Sequence, residues 1–165
     1  MFSPMEERMS AADPFSSLMA IDFMCTELCN LKCDFCPRSK DYPNLNLHMS
    51  LDIIQKVAEE LANLGYKNRL LFCGFGEPLL YKHLVKAVTI LKNEMPWQEN
   101  IHIVTNGDRL NKAKAKELYK AGVNKIFVSM YQGPNQVHRF KKIFEDVDPS
   151  MYLLQHYYKT EEENY

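Results

Sequence analysis

Apolar positions along the chain switch repeatedly between runs or alternations of strand type and spacings of three and four residues. LMAIDFM (Leu18–Met24) is a short apolar run that predicts a buried strand. Beyond Ser50, a candidate cap, Ile53, Ile54, Val57, Leu61 and Leu64 recur at helical spacing, and Gly65 can end that helix. RLLFCG (Arg69–Gly74) predicts a second strand closed by a glycine-rich turn. A helix from about Leu79 to Asn93 places Leu80, Leu84, Val88 and Leu91 on one face. NIHIVTNG (Asn100–Gly107) predicts a third strand and turn, and Asn111–Gly122 a third helix. KIFVSMY (Lys125–Tyr131) is a fourth strand, Asn135–Val147 a shorter helix, and Met151–Tyr158 a fifth strand.

This alternation argues for an α/β fold of βα units, with an open parallel sheet and outer helices. Residues 1–17 are expected to form a flexible leader, residues 18–157 the core, and residues 158–165 an acidic tail. The fifth strand is expected at the sheet's edge, with nothing after it to cover it. Such an apolar edge is a liability. The expectation is therefore that the chain is the front part of a longer one.

Charge adds an exclusion. Lys plus Arg (20) balance Asp plus Glu (21), so no bulk charge calls for nucleic acid or an anionic membrane. The start, MFSPMEERMSAADPF, carries adjacent acids where a signal peptide needs a basic start and an apolar run. No stretch approaches the roughly 18 apolar residues of a spanning helix. The expected location is the cytoplasm, where clustered cysteines more often bind metal or do redox chemistry than form disulfides.

Four of the five cysteines fall between Cys25 and Cys36. Cys29, Cys33 and Cys36 are spaced C-x3-C-x2-C on a loop after the first strand, where parallel folds place chemistry. Three thiolates would leave one iron of a cubane cluster without a protein ligand, an open site. With Cys25 added, four thiolates could instead close a structural zinc or iron–sulfur site. Cys25 also shares a strand face with Ile21 and Phe23, which suits a small buried thiol. Cys73 reads as a plain strand residue. A thiol redox protein is a weaker reading, because Cys33 and Cys36 qualify by spacing alone.

Two glycines, Gly74 and Gly76, bracket Phe75 in CGFGEPLLY, more than a simple connection needs. Pro78 stiffens the exit from that turn. Thr105, Asn106 and Gly107 end the third strand, and Ser129 lies near the end of the fourth. Asn-Gly is a turn signal, yet Thr105 and Asn106 also put polar groups at the same sheet edge as the cysteine loop. Arg38, His48 and Tyr131 are candidate cavity residues without an assigned task. His83, His102, His138 and His156 show no ligand spacing and read as surface or packing residues.

CNLKCDFCPR, with Phe35 before the last cysteine, resembles the radical S-adenosylmethionine (radical SAM) superfamily, especially members that often carry a carboxy-terminal SPASM-type auxiliary cluster domain. The resemblance implies a partial (βα) barrel, here with about four to five βα units. It implies a [4Fe–4S] cluster on Cys29, Cys33 and Cys36, leaving Cys25 out, with S-adenosyl-L-methionine chelating the fourth iron. Phe35 would pack beside the adenine. Phe75, Gly76, Glu77 and Pro78 match the family's Gly-Gly-Glu-Pro stretch, with Phe75 replacing the first glycine and Gly74 preceding it. Glu77 is expected to orient the loop. Thr105, Asn106 and Ser129 are expected to reach polar groups of the cofactor. The implied activity is reductive cleavage of S-adenosylmethionine to a 5′-deoxyadenosyl radical that takes hydrogen from an unidentified substrate, a peptide or small metabolite among the open classes. The implied partner is a low-potential electron donor, flavodoxin- or ferredoxin-like. The competing class is a non-catalytic zinc- or iron–sulfur-binding interaction module.

Overall fold

The computed structural model describes residues 18–38 and 44–157. The expected leader and acidic tail lie outside the described residues. Five strands form one sheet in the order β1-β2-β3-β4-β5: Ala20–Phe23, Arg69–Phe72, Ile101–Thr105, Lys125–Met130 and Tyr152–His156. All four pairings are parallel, with Phe23 opposite Phe72, Phe72 opposite Ile103, Ile103 opposite Ile126, and Val128 opposite Leu154. Parallel neighbours need crossovers, and helices supply them: α1 (Leu51–Asn63), α2 (Leu84–Glu94), α3 (Lys112–Ala121) and α4 (Asn135–Ile143). The result is a partial parallel sheet with flanking helices, consistent with a partial (βα) barrel core of four to five units.

Alternation decides which face meets the helices. Leu70, Phe72, Ile101, Ile103, Ile126 and Val128 are fully buried in one core. Helix residues Ile54, Ala58, Val88, Leu91, Leu118 and Phe140 belong to the same core. The intervening strand residues Leu71, His102, Val104 and Phe127 are only half-buried. Each fully buried Leu, Ile or Phe contributes about 1.5–3 kcal/mol. Local signals set the helix ends. Ser50 Oγ accepts from the Ile53 amide, Asn111 Oδ1 accepts from the Lys114 amide at 2.8 Å, and Gly122 closes α3 in the left-handed region with φ 117°.

Several expected boundaries move. The α1 face facing the core is Ile54, Ala58 and Leu61, while Ile53 and Leu64 are 51% and 46% exposed. Pro78–Leu80 forms a separate 3-10 turn, and α2 begins only at Leu84. Tyr81 is extended between them, and its hydroxyl donates to the Met49 carbonyl at 2.8 Å, a long-range tie that breaks the helix. Helix α4 stops at Ile143, and Phe144 stacks on Tyr152 with centroids 4.4 Å apart. A 3-10 turn, Pro149–Met151, precedes β5. Among the described residues strand β5 pairs only with β4, and Leu153 and Tyr157 remain exposed.

Candidate cofactor site at the carboxyl ends of the strands

Because the strands are parallel and adjacent in chain order, the loops leaving β1, β2, β3 and β4 gather on one rim. A cavity of about 110 Å³ opens there. The loop after β1 contributes Cys29, Cys33, Phe35 and Cys36 to its wall. From the loop after β2 come Gly74, Phe75, Gly76 and Glu77. Thr105 and Asn106 line it from the end of β3, and Ser129 and Tyr131 from the end of β4. Of the residues expected to hold the cluster or the cofactor, Pro78 alone is missing from the wall of this cavity. Pro78 is buried and starts the 3-10 turn instead.

Glu77 holds the turn. Its buried carboxylate accepts from Thr105 Oγ1 at 2.5 Å, the Leu79 amide at 3.0 Å and the Asn106 amide at 2.8 Å. Its own amide donates to the Leu28 carbonyl at 2.6 Å, which joins the glycine turn to the cysteine loop. Burial raises the Glu77 carboxyl above its ordinary value, against the lowering effect of the three donors. A Cβ on Gly76 would lie 1.9 Å from the Thr26 carbonyl oxygen, so only glycine permits this approach of two backbones.

Asn44 pairs with both backbone groups of Cys29, accepting from its amide at 3.0 Å and donating to its carbonyl at 3.3 Å. Arg38, buried, donates to the Glu27 carbonyl and to Asn44 Oδ1. Asn30 Oδ1 accepts from Asn106 Nδ2 at 3.0 Å, and Asn30 Nδ2 donates to Asp108 Oδ2 at 2.7 Å. Asn30 and Asn44 were not among the expected site residues. Asn30 stands beside Cys29 in CNLKC, the one local signal for it; Asn44 carries none.

The thiols divide into two groups. Cys25 is buried in the core, its thiol pushed up to about 12 by burial and, secondarily, by Cys73. Cys73 is pushed up to about 12 by its own burial and by the nearby Asp22 carboxylate. Neither lines the cavity. Burial also raises Cys29 and Cys33, and neighbouring cysteines add to the rise at both. Among the described residues, no three Cys, His, Asp or Glu side chains converge as a finished metal-ligand set. The donor chemistry nevertheless fits an iron–sulfur cluster: three soft sulfurs on one loop share a wall, and a bound cation would offset the cost of ionising them together.

Arg38 and His48 lie apart from this cavity. Arg38 lines an adjoining one of about 340 Å³ with Met24 and Phe75, and His48 hydrogen-bonds Asn46 at 3.1 Å. Tyr131 does line the site, with its ring 5.4 Å from Phe35 and 5.5 Å from Tyr157. None of the helices among the described residues is long and apolar enough to cross a membrane.

A parallel βα sheet with a cysteine-bearing cavity on its carboxyl rim defines the class, and comparison with known proteins gives the family. The profile of the Radical SAM superfamily matches residues 23–158, and the chain belongs to that superfamily. It is 29% identical over 119 residues to the S-adenosyl-L-methionine-dependent 2-deoxy-scyllo-inosamine dehydrogenase of Niallia circulans, covering 72% of this chain and 46% of that protein. It is 37% identical over 105 residues to a probable GTP 3′,8-cyclase of Methanococcus vannielii, covering 64% of this chain and 34% of that protein. The crystal structure of BtrN in complex with AdoMet and 2-DOIA superposes with a TM-score of 0.74 at 25% identity, covering 84% of this chain and 56% of BtrN. The chain thus spans less than half the length of these two curated relatives.

Proposed function

We propose that this chain is the cofactor-binding core of a radical SAM enzyme, with Cys29, Cys33 and Cys36 holding a [4Fe–4S] cluster and S-adenosyl-L-methionine held by the loops beyond β2, β3 and β4. One observation carries the reading. The three thiols share a cavity with the glycine turn and with polar residues from two further strand ends. A zinc knuckle needs its thiols and no such surround.

When bound, the cluster and S-adenosylmethionine would supply a 5′-deoxyadenosyl radical for hydrogen abstraction from a substrate, chemistry that belongs to the cofactors. The chain's own residues bind and orient. Gly74 and Gly76 bring main chain close to the cavity, and Phe35 and Phe75 offer aromatic walls. Thr105, Asn106 and Ser129 present hydroxyl and amide groups. Glu77, engaged by three donors, shapes the turn and moves no proton. The electron would come from a flavodoxin- or ferredoxin-like donor in the cytoplasm. The similar proteins are a dehydrogenase and a cyclase by name, so the likeness supports shared cofactor chemistry and leaves the substrate and any SPASM-type domain open.

Anaerobic reconstitution should give about four iron and four sulfide per chain, the cubane stoichiometry. Cys25→Ala should leave that content unchanged, and replacing Cys29, Cys33 or Cys36 should abolish it. Adding S-adenosylmethionine to the reduced protein should change the cluster's EPR signal. Zinc bound by all four cysteines, or a spectrum unmoved by saturating S-adenosylmethionine, would overturn the reading.

A further inference from the structure

We propose that Asn30 is a positioning residue that clamps the cysteine loop to the end of β3 and so holds Cys29 in place for an iron–sulfur cluster. The inference rests on the reading of Cys29, Cys33 and Cys36 as cluster ligands, and adds a residue from outside that set.

Asn30 is exposed, so packing does not hold its side chain. What holds it is a matched pair of hydrogen bonds across the rim. Its Oδ1 accepts from Asn106 Nδ2 at 3.0 Å and its Nδ2 donates to Asp108 Oδ2 at 2.7 Å. The second is charge-assisted, and short accordingly. Only a side chain offering a donor and an acceptor together can make both bonds, which is what the amide provides.

The far side of the clamp is itself anchored. Asn106 is buried, donates its amide to Glu77 Oε2, and accepts from the Asp108 amide at 2.9 Å through Oδ1. Arg139 on α4 donates to the carbonyls of Gly107, Asp108 and Leu110 at 3.1, 3.0 and 3.2 Å. Asn30 therefore grips a rigid turn. On its other flank, Asn44 already fixes the Cys29 backbone. The first cysteine is held from both sides, and groups that orient a metal ligand in this way set how firmly the metal is kept.

The pairing dictates the test. Asn30→Asp leaves the acceptor for Asn106 but sets two carboxylates against each other. The double variant N30D/D108N exchanges the donor and the acceptor and restores a complementary pair. Reconstituted chains are exposed anaerobically to a ferrous chelator and iron loss is timed, while the melting temperature of each metal-free chain is recorded. N30D should lose iron about tenfold faster than the parent, with the metal-free melting temperature unchanged, and N30D/D108N should return to the parent's rate. Iron loss from N30D at the parent's rate would overturn the clamp. So would a matching fall in its metal-free melting temperature, which would mark a merely structural role, or failure of the double variant to recover. If the parent takes up no iron, the cluster reading falls and the clamp with it. If the parent holds iron and N30D is indistinguishable, the clamp alone falls.

Discussion

Thr105 Oγ1 donates to Glu77 Oε1 across 2.5 Å inside the protein, tying the turn after β2 to the end of β3. Glu77 is surrounded by donors: this hydroxyl and the amides of Leu79 and Asn106. Glu77→Gln places an NH₂ group against one of them. The variant should lose about 1–3 kcal/mol, the cost of a buried polar group left without its partner. Urea unfolding at neutral pH checks this; an unchanged midpoint would show that the turn does not depend on the carboxylate.

The same group gives a pH signature. Burial raises the Glu77 carboxyl above 4.5, the nearby Asp108 adds to the rise, and the three donors only partly oppose it. The folded chain therefore binds this proton more tightly than the unfolded chain. Its contribution to stability is fully present below the unfolded value and is lost as pH rises through the folded one. Relative to E77Q, the parent's stability should decline through the weakly acidic range above pH 4.5 and then level off. A series of unfolding curves would show it, and a gap that widens with pH would refute it.

Gly76→Ala tests the backbone approach beneath the cavity. The added methyl would meet a carbonyl oxygen, which cannot swing aside as a side chain does. The turn must shift, and the Glu77 amide bond to Leu28 goes with it. A loss of about 3 kcal/mol is expected, the upper end of overpacking costs. A melting temperature equal to the parent's would contradict the contact.

Arg139→Ala removes three hydrogen bonds to the turn after β3. Charge-assisted bonds of this kind are worth about 1.5–3 kcal/mol. Amide hydrogen exchange should quicken at residues 107–110 with little change at β1 and β2. Uniform quickening through the sheet would mean that Arg139 supports the whole fold.

Alkylation should separate the five thiols. With Cys25 and Cys73 pushed up to about 12, their thiolate fraction at pH 8 is minute, and Cys25 is buried as well. Iodoacetamide on the metal-free chain should modify the loop thiols Cys29, Cys33 and Cys36 first. Cys25 and Cys73 should follow only in denaturant. Mass spectrometry of the digested chain gives the order, and early labelling of Cys25 would place it outside the core.

Strands were readable in the sequence where alternation is strong, as in Ile101–Thr105, whose burial alternates residue by residue. The helix break at Tyr81 was not, because its cause is a bond to Met49, 32 residues away. Ile53 fits the helical spacing as well as Ile54 does, and only the packed structure shows which of them faces the core. The thiols and the glycine turn announce themselves by residue type at short spacing. Asn44 does not, and Asn30 does so only by standing next to Cys29, since the bonds to Cys29, Asn106 and Asp108 span 15, 76 and 78 residues and amides are common in loops.

The sheet order also repeats the order of synthesis. Each strand after the first has its neighbour already made when it leaves the ribosome, an order that allows pairing to proceed with synthesis. The thiols, however, are born early. About seventy residues separate Cys36 from Asn106, the residue on which the Asn30 bridge depends. At roughly 5–20 residues per second this is an interval of about 4–14 s, during which three thiols project from a nascent chain whose opposite wall does not yet exist. Iron delivered in that window would meet flexible ligands, and iron delivered after it a shaped socket.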